Sequence, residues 1–246
     1  MDRMLYTAMT GATELLHAQT VTSNNLANAS TTGFKKDLAM MLHQPIRRED
    51  DSRHYAVTTT TAQDFSSGNL IHTNSELDVA VDGEGWIAVV GESGEPGYTR
   101  SGSFYVGGEG LLRNYDGQVV LGNDGPISIP PHSRVEIGAD GTINVFGTGE
   151  FEGDAAQIDR IMLVNPKAAE MKKGVDGLFR MKDGSEAEPE ADVHLLTGTL
   201  EGSNVSAIEA MTEMIQISRQ YEMQVKMMKA ANDLSQRSSS IMRVTG

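Results

Sequence analysis

Two stretches of the chain, one at each end, place apolar residues at helical spacing. Leu5, Ala8, Ala12, Leu15, Gln19, Thr22 and Leu26 step by three and four, and five of the seven are apolar. The spacing predicts a helix from Met1 to about Asn28 with one apolar stripe, thin because two members are alanines and polar towards its end. At the other end Met211, Met214, Ser218, Tyr221, Val225, Met228, Asn232, Ser235, Ser239 and Met242 step the same way, six of the ten apolar. Ser206 and Glu209 stand at capping-box spacing, which predicts a helix start. No Gly or Pro follows until Gly246, so this second helix reaches roughly 55 Å at about 1.5 Å per residue. Narrow stripes are marginal alone in water and need a partner. The two ends can serve each other, but about 27 residues face about 38, so some stripe is left for something else.

Between the ends the pattern shortens. WIAVV (86–90), GQVVLG (117–122), PISIP (126–130), RVEI (134–137), TINVF (142–146) and RIMLVNP (160–166) are strand-length runs rich in β-branched residues. Residues 83–149 hold 16 of the 26 glycines, and Asp-Gly pairs stand at 82–83, 116–117, 124–125 and 140–141. That punctuation predicts antiparallel strands joined by tight hairpins. DGSEAEPEAD (183–192) predicts an exposed acidic loop. The expected class is α+β with a central, mainly antiparallel β domain. Its expected divisions are an N-terminal helix and exit segment over 1–43, an extended linker over 44–80, the β domain over 81–174, a return linker over 175–200, and a C-terminal helix over 201–246.

Charge sharpens this picture. The net charge is −14, yet residues 1–43 are neutral and residues 206–246 carry four acids against five bases. The acidity therefore falls in the middle, leaving ends that can approach copies of themselves. An acidic chain without a basic stripe is a poor partner for nucleic acid or anionic membrane. No apolar run is long enough to span a bilayer, and no basic-apolar-cleavage pattern of a secretory leader is legible. The chain has no cysteine, which excludes disulfides and thiolate metal sites.

The sequence carries no recognisable catalytic or cofactor pattern. The six histidines form no i,i+4 pair and no HExxH. Gly83-Glu84-Gly85-Trp86-Ile87-Ala88 fits a G-x-G-x-x-A string but leads into a strand, so no helix N-terminus stands ready for a pyrophosphate. Carboxylates are abundant, and a glycan-acting enzyme would need two facing one cleft; nothing singles out a pair. No catalytic, cofactor or metal residue is expected.

The segment TSNNLANASTTGFKK (22–36) loads a helix end with amides. Asn24, Asn25 and Asn28 lie near one helical face. Two readings stand side by side. The amides bond local backbone as the helix ends, with Gly33 supplying a left-handed turn, or they select register and partner within a seam. Arg100 is likewise open, between pairing with an acid and capping a hairpin. Trp86, Tyr98 and Phe104 suit a β core better than an exposed contact.

NNLANASTTGFKK (24–36) resembles the N-terminal signature of the rod and hook proteins of the bacterial flagellum. Residues 200–235 resemble that family's C-terminal signature at Glu201, Ser203, Asn204, Val205, Met214, Ile215, Arg219, Tyr221 and Glu222. Between them VDGEGWIAV (81–89), YTRSGSF (98–104) and LVNP (163–166) have counterparts, with Trp86 where the family usually carries Phe. The motif residues are Thr32, Gly33, Phe34, Tyr98, Thr99, Arg100, Gly102, Phe104, Ser203, Asn204 and Val205. Within the family the opening MDRMLYTAMTGA and the length look most like its proximal-rod branch, with the distal-rod branch as rival.

The resemblance implies that the chain ends pair as a coiled-coil domain lining a tube, with the β domain outside. It implies a structural rod subunit, part of a torque-transmitting drive shaft and export channel wall, in the periplasmic section of the basal body. Export would pass through the flagellar export apparatus without a cleaved signal. Expected partners are other copies of the chain and homologous rod subunits, the export apparatus, and the surrounding basal-body rings. Expected interface residues are Leu5, Ala12, Leu15, Asn24, Asn25, Leu26 and Asn28 at one end, and Ile208, Met211, Ile215, Tyr221, Val225 and Met228 at the other. The opposing readings are a secreted carbohydrate-binding or carbohydrate-active β protein and a coiled-coil adhesin.

Overall fold

The computed structural model describes residues 2–45, 54–91, 94–131, 134–147 and 156–244, and the chain divides into two compact units. One comprises Met1–Ala29, Lys36–Asp64 and Val205–Gly246. The other comprises Ser30–Lys35 and Phe65–Asn204.

The first unit contains α1 (Asp2–Ala27), α2 (Ala207–Val244) and a hairpin of β1 (Asp37–Pro45) with β2 (His54–Gln63). The α2 start matches its capping signal: the Ser206 hydroxyl accepts the Glu209 N–H at 3.4 Å. The helices run against each other, but the expected coiled-coil domain needs correcting. A two-helix coiled coil would be complete in itself and would bury its large apolar stripe. Here α1 also packs against β1 and β2. Among the described side chains of α2 the buried apolar residues are Ala210, Ile217 and Ala231, whereas Ile208, Met211 and Ile215 are 80%, 53% and 55% exposed. Among the described side chains of α1 they are Ala8, Ala12, Ala18 and Val21. Small residues let backbones approach closely, so among the described side chains the inner faces are mostly alanine, and Ile208, Met211 and Ile215 of α2 are left outside.

The second unit is built from β3 (Leu70–His72), β4 (Val79–Asp82), β5 (Trp86–Val90), β6 (Pro96–Thr99), β7 (Phe104–Val106), β8 (Leu112–Asn114), β9 (Val119–Gly122) and β10 (Gly125–Pro126). Then come β11 (Arg134–Ile137), β12 (Thr142–Phe146), β13 (Ala156–Arg160), β14 (Leu163–Val164), β15 (Met171–Lys173), β16 (Phe179–Met181), β17 (His194–Thr197) and β18 (Thr199–Glu201). All pairings are antiparallel. The main sheet has the path β15-β16-β6-β5-β9-β8-β7; a second has the order β11-β12-β13; β17 pairs with β4 and β18 with β3. The Asp-Gly signals mark real turns: Gly83, Gly117, Gly125 and Gly141 have φ of 78°, 82°, 123° and 84°.

Strand β5 explains why the unit has two cores. Successive side chains of a strand point to opposite faces. Ile87 and Val89 enter a large aliphatic cluster with Val79, Phe104, Leu112, Val120, Ile143 and Leu195. Trp86 and Ala88 face the other way, into a smaller cluster with Tyr98, Val164, Met171 and Phe179. The Trp86 ring lies 4.7 Å from Phe179 and 5.6 Å from Phe65, centre to centre. Tyr98 keeps its polar tip satisfied by accepting the Ala187 N–H at 2.6 Å.

Candidate functional site

Three charged residues from three distant segments meet inside the β unit. Lys35 follows the Gly33-Phe34 turn, Arg100 directly follows β6, and Glu201 ends β18. They are 1%, 4% and 1% exposed. The Lys35 ammonium donates to Glu201 Oε1 at 2.7 Å and to the Ser66 carbonyl at 2.8 Å. Arg100 donates from one terminal nitrogen to Glu201 Oε2 at 3.0 Å and from the other to the Gly83 carbonyl at 2.9 Å. Glu201 Oε1 also accepts the Gly68 N–H at 3.0 Å. The guanidinium lies 5.2 Å from the centre of the Trp86 ring.

Burying three charges costs several kcal/mol per ion unless each is paired and hydrogen-bonded. The backbone contributions from Ser66, Gly68 and Gly83 therefore belong to the arrangement as much as the ions do. Two cations share one carboxylate, and the Trp86 π face offsets part of the excess charge. Arg100 Nε is buried without a partner.

The neighbouring motif residues make room for this knot. Gly33 has φ +69°, and a Cβ on it would strike the Arg100 carbonyl carbon and the Ser101 nitrogen. Its N–H donates to the Glu201 carbonyl at 2.7 Å. A Cβ on Gly102 would strike the Val79 carbonyl oxygen. Half-buried Thr32 bonds Ser101, hydroxyl to hydroxyl, at 3.3 Å. Lys173 stands 4.3 Å over the Phe34 ring. The Asn204 side chain donates to the Ser66 carbonyl at 3.1 Å, and its N–H donates to the Phe34 carbonyl at 3.3 Å. Thr99 Oγ1 accepts the Ser101 N–H at 3.1 Å. Ser203 is half-buried, and Tyr98, Phe104 and Val205 are buried. All the motif residues except Val205 thus lie in the β unit, most of them around the triad.

In the helical unit, buried Asn25 makes a two-way tie. Its Nδ2 donates to the Asp37 carbonyl at 2.8 Å, and its Oδ1 accepts the Asp37 N–H at 2.9 Å. The amide completes the start of β1 much as a paired strand would. Asn28 Nδ2 donates to the Asn24 carbonyl at 2.9 Å, a local helix-end bond, and Asn24 itself is exposed. Ala12 is buried; Leu15, Leu26, Tyr221, Val225 and Met228 are half-buried. Leu5 lies in α1, with its side chain outside the described ones.

The outer faces of the helices carry large apolar residues. On α2, Met211, Ile215, Met223 and Met227 are 53%, 55%, 55% and 43% exposed, and Met9 and Leu16 on α1 are 59% and 47%. A cleft of about 450 Å³ in the same unit is lined by Leu15, Ala18, Thr22 and Asn25, by Leu38 of β1, and by Ile217 of α2.

Perturbed carboxyls lie at turns. Thr142 holds the Asp140 carboxyl below its ordinary range, Arg180 does the same for Asp176, and the Ser185 backbone for Asp183. Each is the Asp of an Asp-Gly turn; those of Asp140 and Asp176 close the β11–β12 and β15–β16 hairpins, and that of Asp183 follows β16. Among the described residues no helix is long and apolar enough to cross a membrane.

Neither Lys35 nor its pairing with Glu201 was expected from sequence. The signals available were that Arg100 and Glu201 stand among the signature positions, and that Lys35, Arg100 and Glu201 each lie within two residues of a glycine, Gly33, Gly102 and Gly202.

Comparison with known proteins follows the same three segments. A family model described as "Flagella basal body rod protein" matches residues 5–35. One described as "Flagellar hook protein FlgE/F/G D1 domain" matches 80–145, and one described as "Flagellar basal body rod FlgEFG protein C-terminal" matches 196–241. Each match contains one member of the triad. The flagellar basal-body rod protein FlgF of Salmonella typhimurium is 37% identical over 252 aligned positions that cover both chains completely. FlgF of Escherichia coli is 35% identical over the same coverage. FlgG of Buchnera aphidicola from Schizaphis graminum is 30% identical over 90% of this chain and 92% of its own.

Proposed function

Because this chain belongs to the flagellar basal-body rod protein family, as a structural rod subunit and not an enzyme, we propose that it polymerises through its terminal helices in the proximal, periplasmic section of the rod. The observation that carries this reading is the uncovered apolar face of α2 at Met211, Ile215, Met223 and Met227. Side chains of that size gain from leaving water, about 25 cal/mol per Å² of apolar surface covered. Neighbouring copies and homologous rod subunits supply the cover. The methionines suit a surface that meets several non-identical partners, because they repack cheaply. The stacked subunits then form the drive shaft and the wall of the export channel, and the chain reaches the rod through the flagellar export apparatus.

The proximal assignment draws on identity: 37% and 35% to relatives named FlgF over the full length, against 30% to a relative named FlgG over nine-tenths of it. The test is the double substitution Ile215→Glu with Met223→Glu. Both sites are exposed, so the purified chain should fold as before, while cells relying on it should yield no complete rods. Normal rod numbers in isolated basal bodies would refute polymerisation through this face.

A further inference from the structure

The triad lies wholly inside the β unit, yet every covalent connection of that unit begins beside it. The chain crosses between units four times, at Ala29–Ser30, Lys35–Lys36, Asp64–Phe65 and Asn204–Val205. Lys35 is itself the last residue before a crossing. Ser66 and Gly68, which bond Lys35 and Glu201, follow directly on the third. Glu201 precedes the fourth by a few residues, and Asn204, at its edge, bonds Ser66 and Phe34. The first crossing opens the segment that Gly33 fastens to the Glu201 carbonyl.

We propose that this node is the force anchor of the subunit, with Lys35, Arg100 and Glu201 as positioning residues that fix the roots of all four connections. The proposal rests on the rod reading, in which twist entering along the terminal segments must reach the β unit. Apolar packing is non-directional and lets surfaces slide, whereas hydrogen bonds to the Ser66, Gly68 and Gly83 backbone fix direction. A role in stability alone would be met largely by apolar replacements, since a buried ion cluster exchanged for hydrophobic residues is often near neutral apart from the backbone groups it leaves behind. Holding direction would not be.

Two measurements on the full chain decide this. In native-state hydrogen exchange of the wild type, the Gly33 and Gly68 amides, both bonded to Glu201, should exchange only with global unfolding of the β unit, like Ile87 and Val89 of β5. Exchange about tenfold or more faster than those core amides would overturn the proposal. The triple variant Lys35→Met, Arg100→Leu, Glu201→Leu takes the side-chain partners from the Gly68 N–H and the Gly83 carbonyl, so it should melt below wild type yet stay folded at growth temperature and build rods in normal number. Its bead-loaded flagella should lose torque at high load while unloaded rotation stays unchanged. Unchanged torque at every load would sink the anchor and leave the rod reading standing; absence of the wild-type chain from isolated rods would sink that reading instead. Should the triple variant fail to fold, the wild-type exchange measurement decides alone.

Discussion

Lys35 and Glu201 stand 166 positions apart in the chain and meet at 2.7 Å in the interior of the β unit. The first follows the N-terminal helix by a few residues and the second precedes the C-terminal helix by a few. The pair joins the two ends of the fold's polar signature, with Arg100 as the third member.

Glu201→Gln removes the one negative charge between two buried cations and keeps the shape. It should destabilise the β unit by about 3–5 kcal/mol. Lys35→Met leaves Glu201 paired with Arg100 and should cost less. Trp86 is the sole tryptophan and lies against the Arg100 guanidinium. Urea unfolding followed by its fluorescence therefore reads this site directly. An equal or reversed order of the two variants would contradict the charge assignment.

Gly33 and Gly117 separate two reasons for a glycine. Both have positive φ, 69° and 82°, but nothing lies within 4 Å of a Cβ on Gly117, while Gly33 is pressed against the Arg100–Ser101 peptide. Gly117→Ala should cost about 1 kcal/mol, the backbone penalty alone. Gly33→Ala should cost clearly more, in the upper part of the usual range of about 0.5–3 kcal/mol. Denaturant midpoints of the two variants test the difference.

Asp176 closes the β15–β16 turn with bonds to Arg180 at 2.6 and 3.0 Å. These bonds hold its carboxyl below the ordinary value. A depressed folded pKa contributes stability that is present above the unfolded value of about 3.9 and is lost as pH falls through the folded one. The stability gap between wild type and Asp176→Asn should therefore be flat around neutrality and close on acidification. Solvent screening keeps it small, about 0.2–1 kcal/mol. Thermal melts across acid pH check both the sign and the size.

Asn25→Leu removes both bonds to the Asp37 backbone. A buried group losing its partner costs about 1–3 kcal/mol. The loss should fall on the helical unit, with faster exchange of the Asp37 amide and an unchanged β unit, and cells should swim poorly. Normal swimming together with a protected Asp37 amide would show that the tie is dispensable.

The β unit was legible because its signals are local. Asp-Gly pairs demand positive φ at defined places, and WIAVV is apolar at every position because both faces of β5 are covered. The helices themselves were legible from their period, but their inner faces were less so. Periodicity weights large apolar residues, whereas close packing selects small ones, so Ala210 and Ala231 lie inside and Met211 outside. The triad was least legible. A charge has no period, and which of 34 acids meets which of 20 bases is settled only when distant strands pair. Asn25 shows the same limit: its amide was recognisable as important, but its partner, the Asp37 backbone, emerges only once β1 turns back on α1.

The methionines on the outside of α2 have one more consequence. Thioethers at Met211, Met223 and Met227 are open to peroxide in the isolated chain, and sulfoxidation would turn that oily ribbon polar. Any neighbour that lies on the ribbon would shield them. Oxidative footprinting by mass spectrometry can thus map occupancy of the helix residue by residue, using sulfur atoms the protein already carries as its labels.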